Sequence, residues 1–200
     1  MLLNAVERAL MNNPVRAAIQ RHFEARRLLR MGGAMRGGTA LEIGCGRGVG
    51  VGLVPDVFGA NRVDAFDLDP SMVELARGRL ASRGDRVRLW AGDAEHIDAP
   101  DGAYDAVFDF GIVHHVPDWR RAVREVARVM KPGARFYAEE ILRSFIVHPL
   151  VRRVVAHPQH DRFDADDFAQ GLTDAGLVLH ARRDHGHHVA WFVADKPLRS

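Results

Sequence analysis

A glycine-rich turn directly after a short apolar run is the feature that most restricts the fold of this chain. The apolar run covers residues 39–43, and glycines follow at positions 44, 46 and 48. Glycine tolerates positive φ and lets a backbone approach a bound ligand closely. In an open parallel sheet, the turn between the first strand and the next helix lies where ligands bind. The sequence therefore predicts a ligand-binding turn at residues 44–48.

Strand-like and helix-like segments alternate along the chain. The strand-like runs are residues 39–43, 62–67, 86–90, 104–110, 135–141, 177–183 and 188–195. Alternation of this kind is typical of a mostly parallel sheet with helices on both faces. The last two runs are separated only by residues 184–187, which is too short for a parallel crossover. We therefore expect an α/β, Rossmann-like, doubly wound seven-stranded sheet whose last strand is antiparallel.

Four segments have the pattern of helices. Residues 14–31 form an amphipathic pattern, a second pattern follows Asp69-Pro70, a third follows Asp118 and ends at residues 131–133, and a fourth covers residues 165–175. Aspartate is a favoured helix cap, and proline is favoured in the first turn. The apolar residues expected on one face of the first three are Val15, Ile19, Phe23, Leu28 and Leu29; Met72, Leu75, Ala76 and Leu80; and Trp119, Ala122, Val123, Val126 and Val129.

Composition excludes several classes of protein. Lys plus Arg is 28 and Asp plus Glu is 26, with the two signs interspersed, so the basic stripe of a duplex-binding protein is absent and we expect no nucleic-acid partner. The single cysteine, Cys45, excludes an internal disulfide and a multi-cysteine zinc site, and no metal site is expected.

No run approaches roughly 18 apolar residues, and the first ten residues do not resemble a secretory signal. We expect one soluble cytoplasmic domain over residues 1–200, with an N-terminal helical extension (1–38) and an insert (142–163).

Two common nucleotide-binding patterns do not fit the glycine turn. A dinucleotide fingerprint, G-x-G-x-x-G, would need glycine at position 49 or 51, and both are valine. A P-loop would need Gly-Lys-Ser/Thr, which does not follow. A Rossmann-type oxidoreductase, a non-catalytic cofactor-binding module and a merely structural tight turn nevertheless stay open as alternatives.

Five motifs in residues 39–141 resemble those of the class I S-adenosylmethionine-dependent methyltransferases, especially the ubiquinone/menaquinone-methyltransferase-like branch that acts on small molecules. The motifs are the acid and glycines of residues 42–48, the acid that ends the second strand, Gly92-Asp93-Ala94, the strand and loop of residues 104–116, and the turn of residues 128–133. Ala134 replaces the second glycine of the family's last motif. The resemblance implies S-adenosyl-L-methionine as cofactor and methyl transfer by in-line displacement.

The resemblance also assigns roles to individual residues. Asp67 would hold the ribose hydroxyls, because a carboxylate accepts both donors of a diol. Asp64 lies earlier in the strand and Asp69 is better placed as a helix cap. Asp93 would accept from the adenine amine, and Glu42 would bind loop amides or the cofactor's amino group. The implied cofactor-binding residues are Glu42, Gly44, Cys45, Gly46, Gly48, Asp67, Leu68, Asp93, Ala94 and Phe110.

A hydroxyl acceptor would need a base, and three groups of histidines could supply it. His115 is the best-placed candidate, because it follows the strand-four loop that should face the methyl group, although a structural role is the alternative. His157 and His160 lie in the insert. The histidines at 185, 187 and 188 lie in the last hairpin, where solvation is expected.

The loop and the insert bear on the substrate. Residues 109–112 read Asp-Phe-Gly-Ile, which lacks the N/D-P-P-Y/F of enzymes that methylate planar amino groups, and the chain has no Pro-Cys nucleophile. Residues 142–156 carry Ile146, Leu150 and Val154 at spacings of four. This stripe suits a cap over a hydrophobic small molecule, a membrane contact or a homodimer contact, and a helix packed on the core is the alternative.

Overall fold

The computed structural model of the chain describes residues 13–146 and 162–198. Within them, one seven-stranded sheet has the order β3-β2-β1-β4-β5-β7-β6. The strands are β1 (Thr39–Ile43), β2 (Arg62–Asp67), β3 (Val87–Ala91), β4 (Tyr104–Phe110), β5 (Met130–Ile141), β6 (Val178–His185) and β7 (Val189–Asp195). Strands β1 to β5 pair in parallel, and β7 is antiparallel to both β5 and β6. The predicted sheet and its antiparallel last strand are confirmed.

Helices cover both faces of the sheet, as predicted. Apart from the 3₁₀ helices Ala81–Arg86 and Val113–His115, those of the described residues are α1, which runs through Pro14–Ile19, the π-helical turn Gln20–Glu24 and Ala25–Gly32; α2, which runs through Val49–Leu53 and the π-helical Val54–Phe58; α3 (Pro70–Leu80); α4 (Trp119–Val129); α5 (Arg143–Ile146); and α6 (Ala165–Asp174). One core cluster lies between the sheet and helices α4 and α6, and the other lies under α1, α2 and α3.

Aspartates begin three of these helices. The Asp69 carboxylate accepts the Ser71 amide at 2.9 Å, and the Asp118 carboxylate accepts the Arg121 amide at 2.9 Å. Asp164 forms a capping box at the start of α6. Each bond satisfies an amide that the first turn of a helix leaves without a partner. The two caps predicted from the sequence are confirmed.

The predicted apolar face of α1 is wrong in its first half. Val15, Ile19 and Phe23 are 67%, 45% and 47% exposed, whereas Gln20 and Glu24 are buried. The inward face is polar because Arg16 and Gln20 line a cavity at the carboxyl edge of the sheet, where Arg16 lies 3.9 Å from the Glu139 carboxylate. Leu28 of the second half is buried as predicted.

Smaller differences concern α3, the strand ends and the insert. Leu75 is exposed and Val73 is buried in its place, whereas the five inward residues predicted for α4 are all buried. Strand β5 begins at Met130, because residues 131–133, expected only to end the preceding helix, already belong to the strand. The pairing of this strand with β4 contains one irregularity.

Of the apolar stripe predicted for the insert, Ile146 is buried. Leu150, Val154, His157 and His160 lie outside the described residues. No helix in the described part of the chain is long and apolar enough to cross a membrane.

Candidate functional site

A cavity of about 690 Å³ opens at the carboxyl ends of β1, β2 and β4. Strand β1 lies between β2 and β4 in the sheet, so the strand order reverses at this point. Such a reversal leaves a crevice in which open α/β sheets bind ligands, and the volume is typical of a small-molecule site. Most residues that the sequence predicted for the site line this cavity: Glu42, Gly44, Cys45, Gly46, Asp67, Leu68, Asp93, Ala94, Phe110 and His115.

The glycine turn needs glycine for two different reasons. Gly44 has φ of 68°, and a Cβ there would overlap the side chain of Ile112. Gly46 also has positive φ, but the space beside it is open. Gly48 is not among the residues that line the cavity, because its Cα faces Ala76 and Leu80 of α3. Gly48 thus lets the turn pack closely on α3.

Asp67 fixes the shape of the turn as well as facing the cavity. One carboxylate oxygen accepts the Gly46 amide at 2.8 Å, and the other accepts the Asp69 amide at 2.9 Å. Burial raises the pKa of Asp67, and these two amide bonds oppose that rise. Each oxygen keeps a second lone pair that could accept a hydroxyl. Asp64 instead bonds the Tyr104 hydroxyl at 3.1 Å and does not line the cavity.

Glu42 is a buried carboxyl whose hydrogen bonds are incomplete within the described residues. It is 2% exposed, and its Oε2 atom has no hydrogen bond among the described residues. Burial, together with the neighbouring Asp109 and Asp67, raises the pKa of Glu42 well above its usual value. A buried polar group of this kind is costly unless something completes its hydrogen bonds. Because Glu42 lies in the cavity wall, its carboxyl group can accept a hydrogen bond from a cationic group of a ligand.

The far end of the cavity is formed by the turn after β3. Asp93 accepts the Glu95 amide at 2.9 Å through one oxygen, and Ala94 is buried beside it. Leu68 is half exposed at the rim, and Phe110 lies buried at the opposite wall. Cys45 is buried, and burial raises the pKa of its thiol, so the thiol stays protonated and is a poor nucleophile.

Two carboxyl groups clamp the loop after β4. Asp109 accepts the amides of Gly111 and Ile112 at 3.0 and 2.8 Å, and Glu140 accepts the amides of Val113 and His114 at 2.9 and 3.1 Å. Burial raises the pKa of Asp109 well above its usual value and that of Glu140 to about 7. The sequence pattern does not reveal this clamp, because the two acids stand on different strands and are 31 positions apart.

The clamp gives the two neighbouring histidines different surroundings. The buried His114 ring bonds Glu140 through Nδ1 at 2.6 Å, and its backbone oxygen accepts from the Arg162 guanidinium. His115 is half-buried and lines the cavity beside Ile112. Within the pair, the structural role belongs to His114, and His115 is the one that can reach a ligand.

Helix α1 contributes a wall of the cavity that was not predicted from the sequence. Arg16 and Gln20 line the cavity, and Arg16 pairs with Glu24. These three residues stand four positions apart and thus share one face of a helix. That spacing was the available signal, but the apolar residues at the neighbouring positions suggested the opposite face.

Comparisons with known proteins agree with the geometry. A family model described as a methyltransferase domain matches residues 41–138. A Mycobacterium tuberculosis protein named "probable S-adenosylmethionine-dependent methyltransferase" is 34% identical over 139 residues, which are 69% of this chain and 48% of that protein. The malonyl-[acyl-carrier protein] O-methyltransferase of Serratia marcescens is 35% identical over 130 residues, 65% of this chain and 48% of that protein.

A solved structure gives the same fold at lower identity. A SAM-dependent methyltransferase from Aquifex aeolicus superposes with a TM-score of 0.75 at 19% identity, covering 96% of this chain and 98% of that one. The chain spans about half the length of these two curated relatives.

Proposed function

The chain belongs to the class I S-adenosylmethionine-dependent methyltransferases, and from this premise we propose that it transfers a methyl group from S-adenosyl-L-methionine to a small-molecule acceptor. The observation that carries the proposal is the single cavity onto which the glycine turn, Asp67 and the turn at Asp93 all open. The ubiquinone/menaquinone-like branch stays a prediction of the sequence.

The residues of the cavity fit this cofactor. The unpartnered Glu42 carboxyl suits its ammonium group, and Asp67 retains lone pairs for a ribose diol. Asp93 has one carboxylate oxygen engaged with the Glu95 amide, which leaves the other for the adenine amine. When bound, the cofactor supplies a methyl group on a sulfonium, which is already activated. The protein then has to align donor and acceptor and, for a hydroxyl acceptor, to remove a proton.

We assign that proton transfer to His115. The carboxylate clamp on the loop after β4 fixes the backbone that carries this ring. The wall around it contains Ile112, Val116 and Pro117, which supports a hydrophobic acceptor. Cytoplasmic location, a homodimer, a cap over residues 142–163 and the lack of a nucleic-acid partner stay predictions of the sequence.

Calorimetric titration tests the cofactor. We expect S-adenosylmethionine and its demethylated product to bind, and NADH and NADPH not to bind. Binding of a nicotinamide cofactor alone would favour the oxidoreductase alternative and overturn the proposal.

A screen of methyl-donor consumption over metabolite classes then identifies the acceptor. With an acceptor in hand, we expect His115→Gln to lower kcat by about 10²–10⁴-fold while cofactor affinity is unchanged. An unchanged kcat would remove His115 from the mechanism. Binding of the cofactor without consumption by any acceptor would favour a non-catalytic module.

A further inference from the structure

The inward face of α1 is polar where it crosses the cavity, and this face carries an inference that rests on the proposed function. Strands β1, β4 and β5 present Glu42, Phe110 and Glu139 to the side of the sheet that α1 covers. Arg16, Gln20 and Glu24 of α1 stand opposite this row. Two carboxyl groups of the sheet, Glu42 and Glu139, therefore face one polar stripe of the helix.

Among the described residues, hydrogen-bonding partners are found for Glu139 but not for the Oε2 atom of Glu42. Glu139 accepts from the Trp191 indole at 2.9 Å and lies 3.9 Å from the Arg16 guanidinium, which also pairs with Glu24. The Oε2 atom of Glu42 has no such partner in the part of the chain that the structure describes. The helix thus completes the network at Glu139 and leaves the Glu42 side open to a ligand.

Gln20 is the second group with unfilled hydrogen-bonding capacity. It is 9% exposed, lines the cavity, and its side chain makes no hydrogen bond within the described part of the chain. The π-helical turn that begins at Gln20 contacts α2, the helix that follows the glycine turn. Gln20 therefore lies at the glycine-turn end of the cavity, on the same side as Glu42. An amide held there, with no hydrogen bond to the described residues, is available to a ligand that enters the cavity.

The unfilled groups are complementary to an amino acid. Glu42 can accept hydrogen bonds from an ammonium group. The Gln20 amide can donate to a carboxylate, and a guanidinium has five N–H donors, of which Arg16 uses only some on Glu24 and Glu139. We propose that Gln20 and Arg16 form a carboxylate-binding subsite that receives the amino-acid end of S-adenosylmethionine opposite Glu42. Helix α1 is then a part of the cofactor site and does not merely flank it.

Paired ligands test this subsite without any methyl acceptor. S-adenosylmethionine and its decarboxylated form differ by the carboxylate and share the sulfonium, the nucleoside and the amine. We expect Gln20→Ala and Arg16→Gln each to weaken binding of S-adenosylmethionine about tenfold or more, measured by calorimetry, because a hydrogen bond to a charged group is lost. Both variants should leave binding of the decarboxylated form within about twofold of the wild-type value.

A variant that adds a negative charge at position 20 makes the test more specific. Gln20→Glu places a negative charge beside the carboxylate, so we expect it to weaken S-adenosylmethionine binding and to preserve or strengthen binding of the decarboxylated form. Arg21→Ala is the matched control, since Arg21 is an exposed cation of the same helix outside the cavity wall. It should leave both affinities unchanged. Thermal melting of each variant confirms folding before titration.

Three outcomes would overturn the subsite. They are equal weakening of both ligands by Gln20→Ala, no weakening of either, or a Gln20→Glu variant that treats the two ligands alike. A subsite for the acceptor's carboxylate would give the second result, with a loss in KM for the acceptor instead. If wild-type protein bound neither ligand, the proposed function itself would fail, which is a different result.

Discussion

Asp67 has two roles at the residue scale, since it shapes the glycine turn through the Gly46 amide and faces the cavity. We expect Asp67→Ala to weaken binding of the demethylated cofactor by about 1.5–3 kcal/mol, because a charge-assisted contact to the ribose is lost. Calorimetry measures the loss. Asp64→Asn is the control, because Asp64 bonds Tyr104 away from the cavity and should affect stability alone. An unchanged affinity in Asp67→Ala would show that another group holds the ribose.

Glu140 should make stability depend on pH. Burial raises its pKa to about 7, above the unfolded value of 4.5, so its protonated form favours the folded state. Its contribution is complete below the unfolded pKa and is lost as pH rises through about 7. We expect the free energy of unfolding in urea to fall between about pH 5 and about pH 8, by an amount on the order of 3 kcal/mol from this group.

Glu140→Gln should flatten that dependence, because the amide does not titrate. Asp109 and His114 contact Glu140, and the Glu140 charge itself raises the pKa of Asp109, so the difference between the two proteins measures the titration of this buried cluster. Glu74→Gln, at an exposed position of α3, is the control and should keep the wild-type profile. Identical profiles for Glu140→Gln and wild type would contradict the assignment.

At the scale of elements, α1 exposes the side chains that its sequence pattern assigned to the core. We expect Ile19→Ser to change the free energy of unfolding by no more than about 0.5 kcal/mol, because Ile19 is 45% exposed and lies on the outer face of the helix. Leu28→Ala in the same helix should cost about 2–5 kcal/mol, because Leu28 is fully buried. Urea denaturation measures both. Equal costs would mean that the helix buries the predicted face after all.

Helix α2 begins at the glycine turn and must pass close to Glu42. A Cβ on Gly50 would overlap the Glu42 carboxyl and approach the Phe110 ring, whereas a Cβ on Gly52 would come no closer than 3.8 Å to Leu80. We expect Gly50→Ala to weaken cofactor binding about tenfold by displacing Glu42. Gly52→Ala should bind normally and be more stable by about 0.4–1 kcal/mol. Normal binding by Gly50→Ala would show that the carboxyl can move without loss.

On the scale of the whole molecule, the cavity joins both halves of the sheet, so ligand binding should stabilise the entire fold. A ligand that binds only the folded state raises the free energy of unfolding by about 2.7 kcal/mol at a concentration of 100 Kd. We expect the demethylated cofactor to produce this increase in thermal or urea unfolding. NADH at the same concentration serves as the control and should give none. A stabilisation by NADH of the same size would contradict the cofactor assignment.

The sequence alone determined the framework of the protein. Strand-like runs, aspartate caps and the turn at residues 184–187 are local signals, and local signals specify which segments form strands and where helices begin. The motif residues from Glu42 to Asp93 are also close in sequence to the strand ends that carry them. Their common edge follows from parallel strands, which all end on the same side of a sheet.

Only the tertiary structure decided what lies across from those residues. The face of α1 depends on the carboxyl groups of Glu42 and Glu139 under it, which come from two separate strands. The pairing of Glu140 with His114 likewise joins residues 26 positions apart. The packing of Gly48 on α3, away from the cavity, likewise depends on a segment that is distant in the sequence. A helical pattern gives the direction of each side chain around its own axis, but burial depends on the partner surface. That surface exists only when distant segments meet, because a buried polar group is stable only where its partners are already in place.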